Sequence, residues 1–195
     1  MHTTESYGEM MKNKLYTSCA FTGHRPAKFP WKYDENDPQC VELKAVLARQ
    51  IEKLAAAGVT DFFTGMALGV DTWVAIAVLD LRERNPAIKF HCVLPCEGQE
   101  TKWSTSAQVR YRDILREADS VEYVKRTYDR KCMLERNQRL VDSAALLLAV
   151  YNGEKRGGTA ATVRYAQKAG REIIVIDPIT LSVSHGKTAL SPAHL

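Results

Sequence analysis

Three segments of the chain join an apolar, strand-like run to glycine just before a helical pattern begins. They are Ala20-Phe21-Thr22-Gly23-His24-Arg25-Pro26, Phe62-Phe63-Thr64-Gly65-Met66-Ala67-Leu68-Gly69-Val70-Asp71, and the run 146–150 followed by Tyr151-Asn152-Gly153-Glu154-Lys155-Arg156-Gly157-Gly158-Thr159. Glycine at a strand-to-helix turn allows positive φ and close approach of a ligand to the backbone. The helix that follows aims unpaired N–H groups and the positive end of its dipole at that ligand. Repeated at several strand ends, the pattern predicts an anion pocket, with phosphate as the best fit.

Each turn also carries side chains suited to such a ligand. Arg25 can clamp phosphate through two N–H groups. His24 beside it reads equally as a base or donor and as a structural partner of backbone. Gly65 and Gly69 stand four apart with Met66 and the small Ala67 between them. This is not the full GxGxxG fingerprint, and its weight comes from lying between a strand and a helix. Asp71 falls in the first turn of that helix, either favouring the dipole as a cap or accepting from a ribose hydroxyl. Gly157, Gly158 and Thr159 offer consecutive amides, a hydroxyl and a helix start, the ingredients of a phosphate cradle. Arg136 and Asn137 open another helix on the same edge; they read as contacts to phosphate and base, or as bridges between surface loops. Gln99 and Trp103 follow the third strand, and Trp31 and Tyr33 the first. Aromatic rings there can stack on a base; covering the core is the competing role, favoured for Trp31, and Trp73 reads as core.

The elements that must position these residues follow from periodicity. Strands are expected at 15–22, 59–64, 88–94, 120–124, 144–150 and 172–176. Helices are expected at 41–57, 68–84, 107–118 (started near Ser104 or Ser106), 133–143 and 159–169. Several strands are near-continuous apolar runs, as when both faces are covered. The alternation predicts an α/β fold, a Rossmann-like three-layer sandwich with a mainly parallel central sheet. Ligands of such sheets bind outside the strand C-terminal ends, and all three glycine turns lie there. Residues 1–13 read as a disordered extension, 14–180 as one domain and 181–195 as a loose tail.

Composition sets the outer bounds. The 195 residues are 45% hydrophobic and 26% charged, with net charge +4, a soluble balance. No apolar run approaches the ~20 residues of a membrane span, so the expected location is cytoplasmic. The five cysteines are odd in number and form no CxxC pair; they read as small buried residues, and no metal site is expected. Lys125, Arg126, Arg130, Lys131, Arg136 and Arg139 crowd one stretch, either as a solvated basic face or as a field that draws phosphates. GxSxG, GxxxxGK[ST] and HExxH are absent.

Phe21-Thr-Gly-His-Arg-Pro26, Thr64-Gly-Met-Ala-Leu-Gly-Val-Asp71, Glu135-Arg-Asn-Gln138 and Gly157-Gly-Thr159 occur in the order seen in the SLOG superfamily of Rossmann-like proteins. The chain most resembles its YpsA-like branch, over about 15–178. The resemblance implies a nucleotide or nucleotide-derived ligand, such as an ADP-ribose-like molecule, at the sheet's C-terminal edge, and a homodimer, since SLOG relatives often pair. No further cofactor is implied. The DprA proteins of this superfamily bind single-stranded DNA, so nucleic acid is a second, weaker partner expectation. The LOG enzymes cleave the base–ribose bond of nucleoside monophosphates. Their methionine and arginine are matched by Met133 and Arg136, which would be the catalytic arginine of a hydrolase. Their catalytic glutamate is not matched: Val163 and Arg164 stand there. A carboxylate stabilises the oxocarbenium character of glycosidic cleavage, and arginine opposes it. Glu135, Glu154 or Asp71 would have to substitute. The reading is therefore a binder of a nucleotide-like ligand acting as a sensor or regulatory module, with a LOG-type hydrolase and a DprA-type DNA binder as alternatives.

Overall fold

A computed structural model describes residues 16–186. Six strands alternate with five helices: β1 (Ser18–Gly23), α1 (Pro38–Ala56), β2 (Asp61–Thr64), α2 (Val70–Arg84), β3 (Lys89–Leu94), α3 (Thr105–Arg116), β4 (Ser120–Tyr123), α4 (Cys132–Asp142), β5 (Leu146–Val150), α5 (Gly158–Lys168) and β6 (Glu172–Ile176). A short 3-10 turn, Pro26–Lys28, follows β1, and a seventh strand, β7 (Val183–Gly186), closes the described chain. The sheet order is β4-β3-β2-β1-β5-β6-β7. All pairings are parallel except β6 with β7.

Strand alternation builds the three layers. Cys19, Phe21, Leu146, Leu148, Val150, Ile174 and Ile176 pack with α1, α2 and α3 on one face. Ala20, Leu147, Ala149, Ile173 and Val175 point the other way, onto Leu140, Val141, Val163 and Ala166 of α4 and α5. Because side chains alternate across a strand, a continuous apolar run is what two covered faces require. The fold class matches the sequence expectation. Trp31 and Trp73 are both core residues, with Trp31 stacked on Phe29 at 4.8 Å between ring centres.

Most boundaries shift by one to three residues. Helix α1 begins earlier than its apolar period suggests, because Asp37 accepts from the Gln39 amide and Pro38 occupies the first helical position, where its missing N–H costs nothing. Ser104, not Ser106, caps α3 by accepting from the Ala107 amide. The larger correction concerns 181–195. Residues 183–186 are not loose: they pair antiparallel with β6, Ile176 opposite Val183 and Ile173 opposite Gly186. The expected extension at 1–13, and the tail beyond 186, lie outside the described residues.

The first glycine turn shows how tightly the C-terminal edge of the sheet is built. A Cβ on Gly23 would stand 2.5 Å from the Val70 Cβ, so the end of β1 and the start of α2 meet with no room for a side chain. Gly23→Ala should therefore lower stability by about 1–3 kcal/mol through overpacking, read by urea denaturation. Gly23→Ala combined with Val70→Gly, which removes the clashing Cβ, should recover part of that loss.

Candidate functional site

The β2–α2 turn holds the least relaxed backbone at this edge. Met66 is fully buried at φ +54, a conformation that costs a non-glycine residue about 1–3 kcal/mol and persists only where surroundings enforce it. Gly69 takes φ +90 at the N-cap of α2, and a Cβ there would press on Pro26 Cδ at 2.9 Å. Several bonds hold the turn. The Met66 amide donates to Thr64 Oγ1 at 3.3 Å, the Ala67 amide to Asp71 Oδ2 at 3.1 Å, and Gln99 Nε2 donates to the carbonyls of Gly65 and Met66 at 3.3 Å each.

Asp71 and Arg136 form a buried ion pair, Nη1 to Oδ2 3.1 Å, with their side chains 6% and 8% exposed. The guanidinium lies where Gly65 would carry a side chain: a Cβ there would fall 1.2 Å from Nη1. The Asp71 carboxylate ties the turn and pairs a charge. Arg136 likewise braces α4 against the β2–α2 turn. Its neighbour Asn137 is half-buried and faces Gly158, whose Cβ would stand 3.8 Å from Asn137 Nδ2.

The sheet reverses direction of construction between β1 and β5, the topological switch point where such sheets bind ligands. There His24 Nε2 and Asn152 Oδ1 share a hydrogen bond of 3.1 Å, and Lys28 pairs with Glu154 at 3.1 Å. Those contacts, with the bond from Asn152 to its carboxylate, hold Glu154 below the ordinary carboxylate range. Helix α5 starts at Gly157, φ +109, with no side-chain cap. Gly157 and Gly158 are exposed, while Thr159 is buried.

Arg25 turns the other way. It lines a cleft of about 1010 Å³ between the segments 25–36, 68–69 and 99–110. Gly69, Gln99 and Trp103 also line it, as does Tyr33, which is 67% exposed. Arg110 closes one wall by gripping Glu35 through both nitrogens, at 3.1 and 2.9 Å. Burial alone would raise the Glu35 carboxyl; the hydrogen bonds and charge of Arg110 outweigh that and hold it below its usual range. Glu35, Lys102 and Arg110 were not singled out in the sequence. The acidic run Asp34-Glu35-Asn36-Asp37 before one helix and the arginines of another, Arg110, Arg112 and Arg116, are the available signal.

The matching family is the YspA SLOG family, over residues 19–181. The chain belongs to that family. A UPF0398 protein of Halalkalibacterium halodurans is 30% identical over 157 residues, 80% of this chain and 81% of its own. Among solved structures, DNA processing protein A of Helicobacter pylori, a single-stranded DNA binder, superposes with TM-score 0.56 at 18% identity, covering 85% of this chain and 67% of its own. The protein TM1055 gives TM-score 0.50 at 18% identity, with 80% and 71% covered. These likenesses establish the Rossmann-like fold. No helix among the described residues is long and apolar enough to cross a membrane.

Within the SLOG pattern three of the six cations of the basic stretch are paired with acids. Lys125 pairs with Asp129 and Glu135, Arg139 with Glu122 and Arg136 with Asp71. Val163 belongs to the core, and Arg164 donates to the Lys155 carbonyl at 2.8 Å. The three carboxylates that would replace a LOG-type glutamate, Asp71, Glu135 and Glu154, are each held by a cation.

Arg136→Ala leaves Asp71 buried without its cation and should cost about 3–5 kcal/mol; Arg136→Met with Asp71→Asn should lose less, both by chemical denaturation. Glu35 gives a pH test. Its carboxyl is depressed in the fold, so its stabilisation is present above the unfolded value of 4.5 and is lost as pH falls below it. Glu35→Gln should make the acid limb of the stability profile shallower below that pH.

Proposed function

We propose that this protein binds a nucleotide-derived ligand at the C-terminal edge of its sheet, as a sensor or regulatory module. The observation that carries the reading is the uncapped start of α5 at the switch point. Exposed amides of Gly157 and Gly158 stand there beside the Thr159 hydroxyl, which makes no hydrogen bond to any described residue. Such a helix start favours phosphate by direct hydrogen bonding and by its dipole. Asn137 of α4 and the His24–Asn152 pair border the same place and offer polar partners to ribose or base. Binding is favoured over cleavage because the helical turn that would supply a LOG-type carboxylate supplies Val163 and Arg164.

A thermal-shift panel of nucleoside mono- and diphosphates and ADP-ribose tests this. A ligand at a hundred times its Kd adds about 2.7 kcal/mol, a rise on the order of 5–10 °C for a chain of this size. Thr159→Val removes only the hydroxyl. It should leave the unliganded melting temperature in place and weaken the ligand about tenfold, close to one hydrogen bond. No shift with any of these compounds at millimolar concentration would overturn the reading.

A further inference from the structure

The first glycine turn divides the ligand edge in two. His24 faces Asn152 at the switch point, whereas the next residue, Arg25, faces the cleft. Pro26 and Gly69, in close contact, stand in the cleft wall. At about 1010 Å³ the cleft lies at the upper end of small-molecule sites, and the amides of Gly157 and Gly158 are not among its lining. A mononucleotide phosphate seated on α5 therefore leaves this cavity unused.

The lining of the cleft has a definite chemistry. Arg25 and Lys102 are exposed, and neither side chain has a hydrogen-bond or ion-pair partner among the described residues. Arg110, by contrast, is already neutralised by Glu35. Trp103 is half-buried and held edge-on by Tyr111, ring centres 5.3 Å apart at 82°. Tyr33 is largely exposed. Asp34, which makes no ion pair among the described residues, also lines the cleft; the two free cations exceed it by one charge, and beside a positioned indole and a phenol they suit an anion joined to a flat aromatic ring. Gln99, in the cleft wall, holds the β2–α2 turn through its amide.

We propose that the ligand is a dinucleotide, two nucleosides joined through phosphate. The first half occupies the switch point, so the inference rests on the function proposed above. The second half enters the cleft, its base on Trp103 and Tyr33, while Arg25 and Lys102 meet the linking phosphates from the cleft side.

Calorimetry and tryptophan fluorescence with AMP, GMP and the corresponding dinucleoside diphosphates test this. The expected result is a dinucleotide at least tenfold tighter than its mononucleotide, with quenching of Trp103, because Trp31 and Trp73 are buried. Trp103→Ala should bring the dinucleotide down to mononucleotide affinity and leave the mononucleotide unchanged, which also shows that the variant folds. Lys102→Ala, on an exposed side chain, should weaken only the dinucleotide. Equal affinities for the two ligand lengths, or a dinucleotide advantage that survives both substitutions, would overturn the cleft assignment and leave the switch-point reading standing. No binding by either length would overturn both.

Discussion

The ion pair between Arg136 and Asp71 is the constraint around which the C-terminal edge of the sheet is arranged. Two buried charges are tolerated only when each answers the other. Here the pair also has a steric role, because the guanidinium occupies the space a Gly65 side chain would need. Asp71 spends the same carboxylate oxygen on the Ala67 amide. One interaction thus fixes the course of the β2–α2 turn, the start of α2 and the position of α4. Helix α4 in turn brings Asn137 toward Gly158.

Around that anchor, adjacent residues serve opposite sides of the edge. The β1 turn sends His24 toward β5 and Arg25 toward α3, while Pro26 packs on Gly69 between them. The charges follow the same economy. Three cations of the basic tract, Lys125, Arg136 and Arg139, are matched by acids close in space, while Arg126, Arg130 and Lys131 make no ion pair among the described residues. Arg25 and Lys102, far from that tract, remain without partners among the described residues.

The architecture was legible because each central strand is apolar on both faces and each helix repeats at 3.6 residues. The glycine turns were legible as features of the C-terminal edge of the sheet, but their physical cause was not. Gly23, Gly65 and Gly69 accommodate Val70, Arg136 and Pro26, neighbours that periodicity cannot supply. Arg136 and Asp71 were both picked out as ligand contacts; that they pair with each other depends on α4 docking across the sheet. Glu35 and Arg110 escaped notice for the same reason, being 75 residues apart. Residues 183–186 were missed because a four-residue strand with a polar face carries almost no periodic signal.

The left-handed Met66 has a consequence for the order in which the chain can assemble. The bonds from Thr64 and Asp71 that hold its turn are local, but the Arg136 brace closes over a separation of 65 residues. Long-range contacts repay their loop-closure entropy only after much of the chain has been ordered. The β2–α2 turn therefore reaches its final shape late, once α4 has docked. A nascent chain that has not yet made α4 has a sheet under construction but no finished turn between β2 and α2.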